Sequence, residues 1–292
     1  MTTTTSPTGP AAPASGAPAP VATTLDPDRR TIGKIAAMVA KKTVFIVIQI
    51  AAAIAVWQLA VSMFSIKEQV LPGPAVVWKS LRGLVESGLV FDAGWITLQE
   101  TVYGFVIGSA LGMGLAIILT EVPLLHKIFN PYIVAFQAMP KIAIAPLLLI
   151  WFGFGMTSKV VLVVVMVFFP VLVNMYTGLN SVNEQQLELM KVYRANRWET
   201  LRRLRMYAAL PFLLASFEVS FVLALTAAVV AEILGSGTTV GLGTLLQMYN
   251  ARVDMGGMFA TVVVLSALGL VLYGLVKLTS RYLLRWNQSS NN

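Results

Sequence analysis

The sequence predicts an all-α fold, a polytopic transmembrane bundle of about six helices, and three observations carry that prediction. Hydrophobic residues make up 57% of the 292-residue chain and charged residues 12%, whereas ordinary soluble domains carry about 25% charge. Apolar runs recur at about the 20-residue length that lets a helix cross a bilayer. Runs such as VFIVIQIAAAIAVWQLAV and KVVLVVVMVFFPVLVNMY are continuous rather than alternating, so helices and not barrel strands satisfy the backbone within lipid.

Residues 1–28 are rich in Thr, Ala and Pro. With few large apolar side chains they cannot offset their ordering entropy, and a disordered tail is expected. They lack the basic and apolar regions of a secretory signal. Residues 29–42 carry Arg29, Arg30, Lys34, Lys41 and Lys42, a basic segment expected on the cytoplasmic membrane face. A transmembrane domain is expected over 43–286, with apolar segments at about 43–64, 97–120, 130–152, 159–179, 209–233 and 259–284. A polar stretch containing Leu71-Pro72-Gly73-Pro74 follows the first segment. In the third, Pro131 opens the run, Pro140 and Pro146 interrupt it, and Lys141 lies near its middle. A helix broken in this way belongs against protein or an aqueous cavity. Between the fourth and fifth segments lies a basic, helix-compatible loop over about 183–206.

The placement of Lys and Arg sets the orientation. With the N-terminus inside, inner regions hold 15 of these residues and outer regions 5, Lys159 among the outer ones. The positive-inside rule therefore puts both termini and the 183–206 loop in the cytoplasm. The net charge of +8 gathers at the ends of apolar runs, which suits anionic lipid and not nucleic acid. Without cysteine there are no disulfides or thiolate sites. The single histidine, His126, cannot build a histidine metal cluster and is expected to be solvated beside Lys127. A Walker A loop, GxxxxGK followed by Ser or Thr, does not occur. The nearest stretches, Gly153 to Lys159 and Gly235 to Gly237, lack its spacing and are expected to form tight turns. Neither enzymatic activity nor a bound cofactor is expected, so any ATP is bound by another polypeptide.

Ionisable residues inside spans are informative because placing one there costs at least about 2.5–3.5 kcal/mol. Glu100, Lys141 and Glu218 fall in the second, third and fifth segments. A Lys–Glu pair across helices would offset the cost; alternatively these groups line a polar pathway with Gln137. Glu100 lies near the outer margin of its segment, which favours a structural or solvated role, and Lys141 is the better pathway candidate. Glu232 precedes a Gly-rich loop at the outer end of its segment and is expected to touch an external partner or face water.

Several motifs in fixed order resemble the permease subunit of binding-protein-dependent ABC importers, in the nitrate, taurine and aliphatic-sulfonate branch. They are Leu71-Pro72-Gly73-Pro74, Thr97-Leu98 with Gly104-Phe105, the run Gln137 to Gly155 (QAMPKIAIAPLLLIWFGFG), and Ala231-Glu232 followed by Gly241-Leu242-Gly243. The family's cytoplasmic signature runs Glu-Ala-Ala, three residues, Gly, nine residues, Ile-x-Leu-Pro. Here Glu188 matches the Glu, Leu189-Met190 replace Ala-Ala, Arg194 replaces the Gly, Leu204 matches the Ile, and Met206-Tyr207 replace Leu-Pro. Pro211 matches a further proline common in the branch. The YRAN stretch at Tyr193 to Asn196 resembles versions linked to thiamine-pyrimidine precursors and flavins.

The resemblance implies a type I importer permease fold in a bacterial plasma membrane, working as a homodimer that forms the substrate pathway. It implies two cytoplasmic ABC ATPase subunits and an extracytoplasmic substrate-binding protein as partners. The substrate would be a small organic solute or anion: a sulfonate, nitrate, taurine, or a pyrimidine or flavin vitamin precursor. The loop would form a coupling helix contacting the ATPase through Leu187, Glu188, Met190, Tyr193, Arg194, Ala195 and Arg197. From pattern alone it suits lipid headgroups equally well. Because Arg takes positive φ at a cost, either the loop stays helical through Arg194 or it turns at another residue. The three-to-four spacing of Leu187, Met190, Tyr193 and Arg197 reads as one continuous helix. The alternative function is a stand-alone secondary transporter or channel, which would show inverted repeats with paired broken helices. Only the third segment is broken, with no symmetric counterpart.

Overall fold

The computed structural model describes residues 29–65, 67–235 and 239–284, and the tail expected over 1–28 lies outside them. The chain divides into two units, 1–56 and 57–292. The first contributes the greater part of helix α1 (Arg29–Met63). The basic stretch 29–42 is helical and runs without a break into the apolar one, whose Ile48, Ile50, Ile54 and Val56 are exposed.

In the second unit, α2 (Pro74–Glu86), α3 (Leu89–Glu121), α4 (Pro123–Ala138), α5 (Ala145–Phe152), α6 (Met156–Leu179), α7 (Glu184–Val192), α8 (Arg197–Thr200), α9 (Met206–Leu234), α10 (Leu242–Ala251) and α11 (Met255–Leu283) follow in order. Among the described residues four stretches are long and apolar enough to span a membrane: α3, α6, the α8–α9 run Arg197–Leu234, and α11. The fifth is broken as the prolines predict, with α4 and the Lys141–Phe152 segment meeting at 88°. Proline restricts the residue before it, and Met139 is accordingly extended (φ −72°, ψ 138°). The chain restarts as a short 3-10 turn, Lys141–Ile144, ahead of α5. The helix starts at Pro123 rather than at Pro131, which lies inside α4. Helices α2 and α10 were not foreseen, because both are short and mix polar with apolar residues.

The core is a stack of α3, α6 and α9. Gly104, Gly108 and Gly112 form a stripe on α3 against α6. A Cβ at Gly108 would lie 2.9 Å from the Val164 carbonyl, one at Gly112 2.8 Å from that of Phe168, and one at Gly104 would overlap Val163. Small residues at this spacing let backbones approach where lipid offers no hydrophobic drive. Because residue numbers rise together along the contact, α3 and α6 are parallel. Gly178 of α6 meets Ala209 near the start of α9, so α9 is antiparallel to both. Val163, Val167, Val171 and Leu179 are fully enclosed between them. A smaller cluster joins α2 to α11 through Val77, Leu84 and Ala260, with Trp57 and Phe259 stacked at 6.2 Å.

This arrangement defines two ends. The third turn of α3, the first turn of α6 and the last turn of α9 meet at the end that the charge distribution assigns to the outside. The 184–206 loop lies at the other.

Candidate functional site

The 184–206 loop is two helices and a turn rather than the continuous helix expected. Helix α7 stops at Val192, and Arg194 itself takes the left-handed conformation, φ 53°. The Arg194 amide donates to the Lys191 carbonyl (2.9 Å) and the Ala195 amide to that of Met190 (3.0 Å). This paired closure is the Schellman motif, which favours glycine at the left-handed position. The chain thus turns where the family signature has Gly, despite the Cβ. Asn196 then caps α8 reciprocally with Glu199: the Glu199 amide donates to Asn196 Oδ1 (2.8 Å), and the Asn196 amide to Glu199 Oε2 (2.9 Å). One π-helical turn, Leu201–Arg205, with Leu201 buried, joins this to α9.

The turn rearranges the expected contact strip. Leu187, Met190 and Ala195 are half-buried against the body, while Glu188, Tyr193, Arg194 and Arg197 face outward. The apolar residues left exposed are Leu189, Val192 (78%), Tyr193 (75%) and Trp198. Sequence reasoning missed Leu189, Val192 and Trp198 because it laid one helical period across residues that the turn divides. His126 is not simply solvated: it is half-buried and stacked on Tyr176, with centroids 4.3 Å apart.

In the broken span, Lys141 Nζ donates to the Gln137 carbonyl (3.2 Å) and lies over the Phe169 ring at 5.3 Å. Gln137 is exposed and Lys141 half-buried. The bend therefore brings these two together. Glu218 is half-buried in mid α9, away from the ends.

Glu100 belongs elsewhere. At the opposite end from the loop it is 0% exposed and paired with Lys159, also 0% exposed, at 2.9 Å. Lys159 was expected in an outer loop; it is instead buried in the first turn of α6 and donates also to Thr239 (3.0 Å). Glu232, expected to face outward, is likewise 0% exposed. Its carboxylate accepts from the Thr97 hydroxyl (2.7 Å) and from the Gly243 amide, while the Leu242 amide donates to Thr97 (2.9 Å). A Cβ at Gly241 would overlap the Glu232 carboxylate, and one at Gly243 would lie 2.5 Å from the Val229 carbonyl. The Gly-Leu-Gly sequence is thus what lets the loop close on a buried acid. Three charges at matching depth on three spans were the available signal, hidden because Lys159 and Glu232 each border a loop.

Residues 97–284 match the family described as binding-protein-dependent transport system inner membrane component. The riboflavin transport system permease protein of Chloroflexus aurantiacus is 32% identical, the match covering 80% of this chain and 86% of that one. The formylaminopyrimidine transport permease protein of Halalkalibacterium halodurans is 31% identical over 80% of this chain and 92% of that one. The putative aliphatic sulfonates transport permease protein of Bacillus subtilis is 28% identical over 81% and 85%. An inward-facing methionine ABC transporter shares the fold at TM-score 0.57 and 17% identity, covering 68% of this chain and 95% of that one.

Proposed function

The chain belongs to the inner-membrane components of binding-protein-dependent transport systems, and from that premise we propose that it is an importer permease coupled through residues 184–206 to a separate cytoplasmic ATPase. The observation that carries the coupling is the outward apolar strip of Leu189, Val192, Tyr193 and Trp198. Such a strip on a short helix suits the helix-in-groove mode of protein recognition better than it suits water. Glu184 at the start of α7 and Lys191 at its end complement the helix dipole.

The loop is built to transmit displacement. Its Schellman turn, capping box and π-turn leave no slack before α9, and α9 packs along α6. When two ATPase subunits close on ATP, they would draw two such loops together and tilt α9 and α6 with them. The working unit is then a homodimer, with both termini cytoplasmic and a substrate-binding protein delivering cargo outside. Gln137 and Lys141 at the bend, with Glu218 of α9, are the polar groups proposed for the pathway. Glu100 is assigned to holding the outer end together. The relatives' riboflavin, formylaminopyrimidine and sulfonate cargoes point to a small organic solute.

The test is co-purification with an ATPase subunit, followed by ATP-dependent uptake in proteoliposomes. Val192→Asp should abolish association and leave membrane insertion intact. Uptake by the chain alone, driven by an ion gradient, would replace this proposal with a secondary transporter.

A further inference from the structure

On the loop side of the bundle, a cavity of about 440 Å³ separates the α3–α4 junction from α7 and the α8–π-turn segment. Thr120 and Glu121 line it from α3, Lys191 from α7, and Arg197, Thr200 and Arg205 from the far wall. Three cations from separate elements, two of them also exposed to solvent, thus share the lining with one acid, Glu121. Among the described residues neither Lys191, Arg197 nor Arg205 forms an ion pair, whereas the exposed Arg82 finds Glu86 at 2.8 Å. Both hydroxyls donate within their own helices, Thr120 to Ala116 (2.9 Å) and Thr200 to Asn196 (3.0 Å). The donors left for a ligand are thus the cations alone.

We propose that this cavity binds a phosphate group, held by Lys191, Arg197 and Arg205. Three cations set against the single acid Glu121 leave an excess of like charge, and an anion between them lowers that cost. Cationic donors converging from separate walls suit the several oxygens of a phosphate, whereas a planar carboxylate is satisfied by a single guanidinium fork. The volume leaves room for what the phosphate is attached to. Exposed Val122 and Leu124 flank Pro123 at the cavity's edge, at the end of a spanning helix where lipid chains would lie. The phosphate can therefore come from a phospholipid headgroup or from solution. Bound there, it would brace the coupling loop against α3. The site itself stands whether or not that loop docks an ATPase.

The experiment uses the full chain, purified without any ATPase, in a phosphate-free maltoside detergent, alone or with added phosphatidylglycerol, with and without inorganic phosphate. Saturable binding, read by thermal shift and native mass spectrometry, is expected in at least one arm. If only phosphatidylglycerol binds, the source is lipid; if inorganic phosphate binds without added lipid, the source is soluble. Arg197→Gln and Lys191→Gln, at exposed positions that should not disturb folding, should each weaken binding about tenfold, a factor that corresponds to about 1.4 kcal/mol. Arg202→Gln, outside the cavity, should leave it unchanged. No saturable binding in any arm overturns the proposal, as does equal weakening by Arg202→Gln, which would mean diffuse attraction.

Discussion

The two ends of this bundle handle charge in opposite ways. At the outer end Glu100, Lys159 and Glu232 are wholly buried, and their carboxylates and ammonium are joined to Thr97, Thr239 and the Gly243 amide. At the loop end Lys191, Arg194, Arg197, Arg202 and Arg203 are all exposed. Buried charge needs partners, because an isolated ion away from water is prohibitively costly, and of this cluster's charged atoms only Glu100 Oε2 lacks a hydrogen-bond partner. The cluster holds Thr239, Leu242 and Gly243 against the third turn of α3, the first turn of α6 and the last turn of α9. Exposed charge is free to meet something else. The contrast separates an end specified internally from one left open for partners.

The sharpest way to break the contrast is to remove one member of the buried cluster. Lys159→Met leaves two acids uncompensated in the interior and should cost about 3–5 kcal/mol, seen as loss of monodisperse protein on size exclusion in detergent. Adding Glu100→Gln should recover part of that loss. If Lys159→Met alone is as stable as the parent, the cluster does not hold the outer end together. The same end should resist a single methyl group: Gly243→Ala forces the loop off Glu232 and should cost about 1–3 kcal/mol of thermal stability, typical of overpacking.

The equivalent surgery on the open end should spare stability and strike function. Tyr193→Ala removes an exposed ring, so unfolding should move by no more than about 0.5 kcal/mol. If Tyr193 anchors the helix in a groove, ATPase affinity should fall by about 2 kcal/mol, the scale of an interface hot spot. Equilibrium binding of the purified ATPase reads this directly, and unchanged affinity would place the contact elsewhere on the loop.

The difference between the ends also explains what the sequence discloses. Spans, the proline break and the position of the basic loop follow from composition along the chain, which is a local property. Pro140 and Pro146 act on their immediate neighbours, so the bend could be read directly. The pairing of Lys159 with Glu100 spans 59 positions and depends on α3 and α6 lying parallel, which no local pattern encodes. Lys159 opens a hydrophobic run and therefore looks like a loop cation, and Glu232 closes one and looks like a surface acid. Removing Lys159 from the outer positive charges makes the inside–outside asymmetry counted along the chain larger.

Arg194 shows where a correct rule gave a wrong local expectation. Left-handed backbone costs a residue with a Cβ about 1–2 kcal/mol, which argued for a helix continuing through it. Three things outweigh that cost: the Schellman hydrogen bonds to Lys191 and Met190, the Asn196–Glu199 capping box two residues on, and the burial of Leu201. The turn is over-determined by its flanks, so the residue at its apex can be strained. Arg194→Gly should relieve the strain and recover slightly more than the extra unfolded-state entropy glycine brings, which is about 0.5–1 kcal/mol. The expected outcome is a gain of about 0.5 kcal/mol, visible as a small rise in melting temperature, with ATPase affinity within twofold of the parent. A large drop in affinity at unchanged or higher stability would mean that the guanidinium itself reaches the partner, making the departure from glycine a specificity device rather than a tolerated strain.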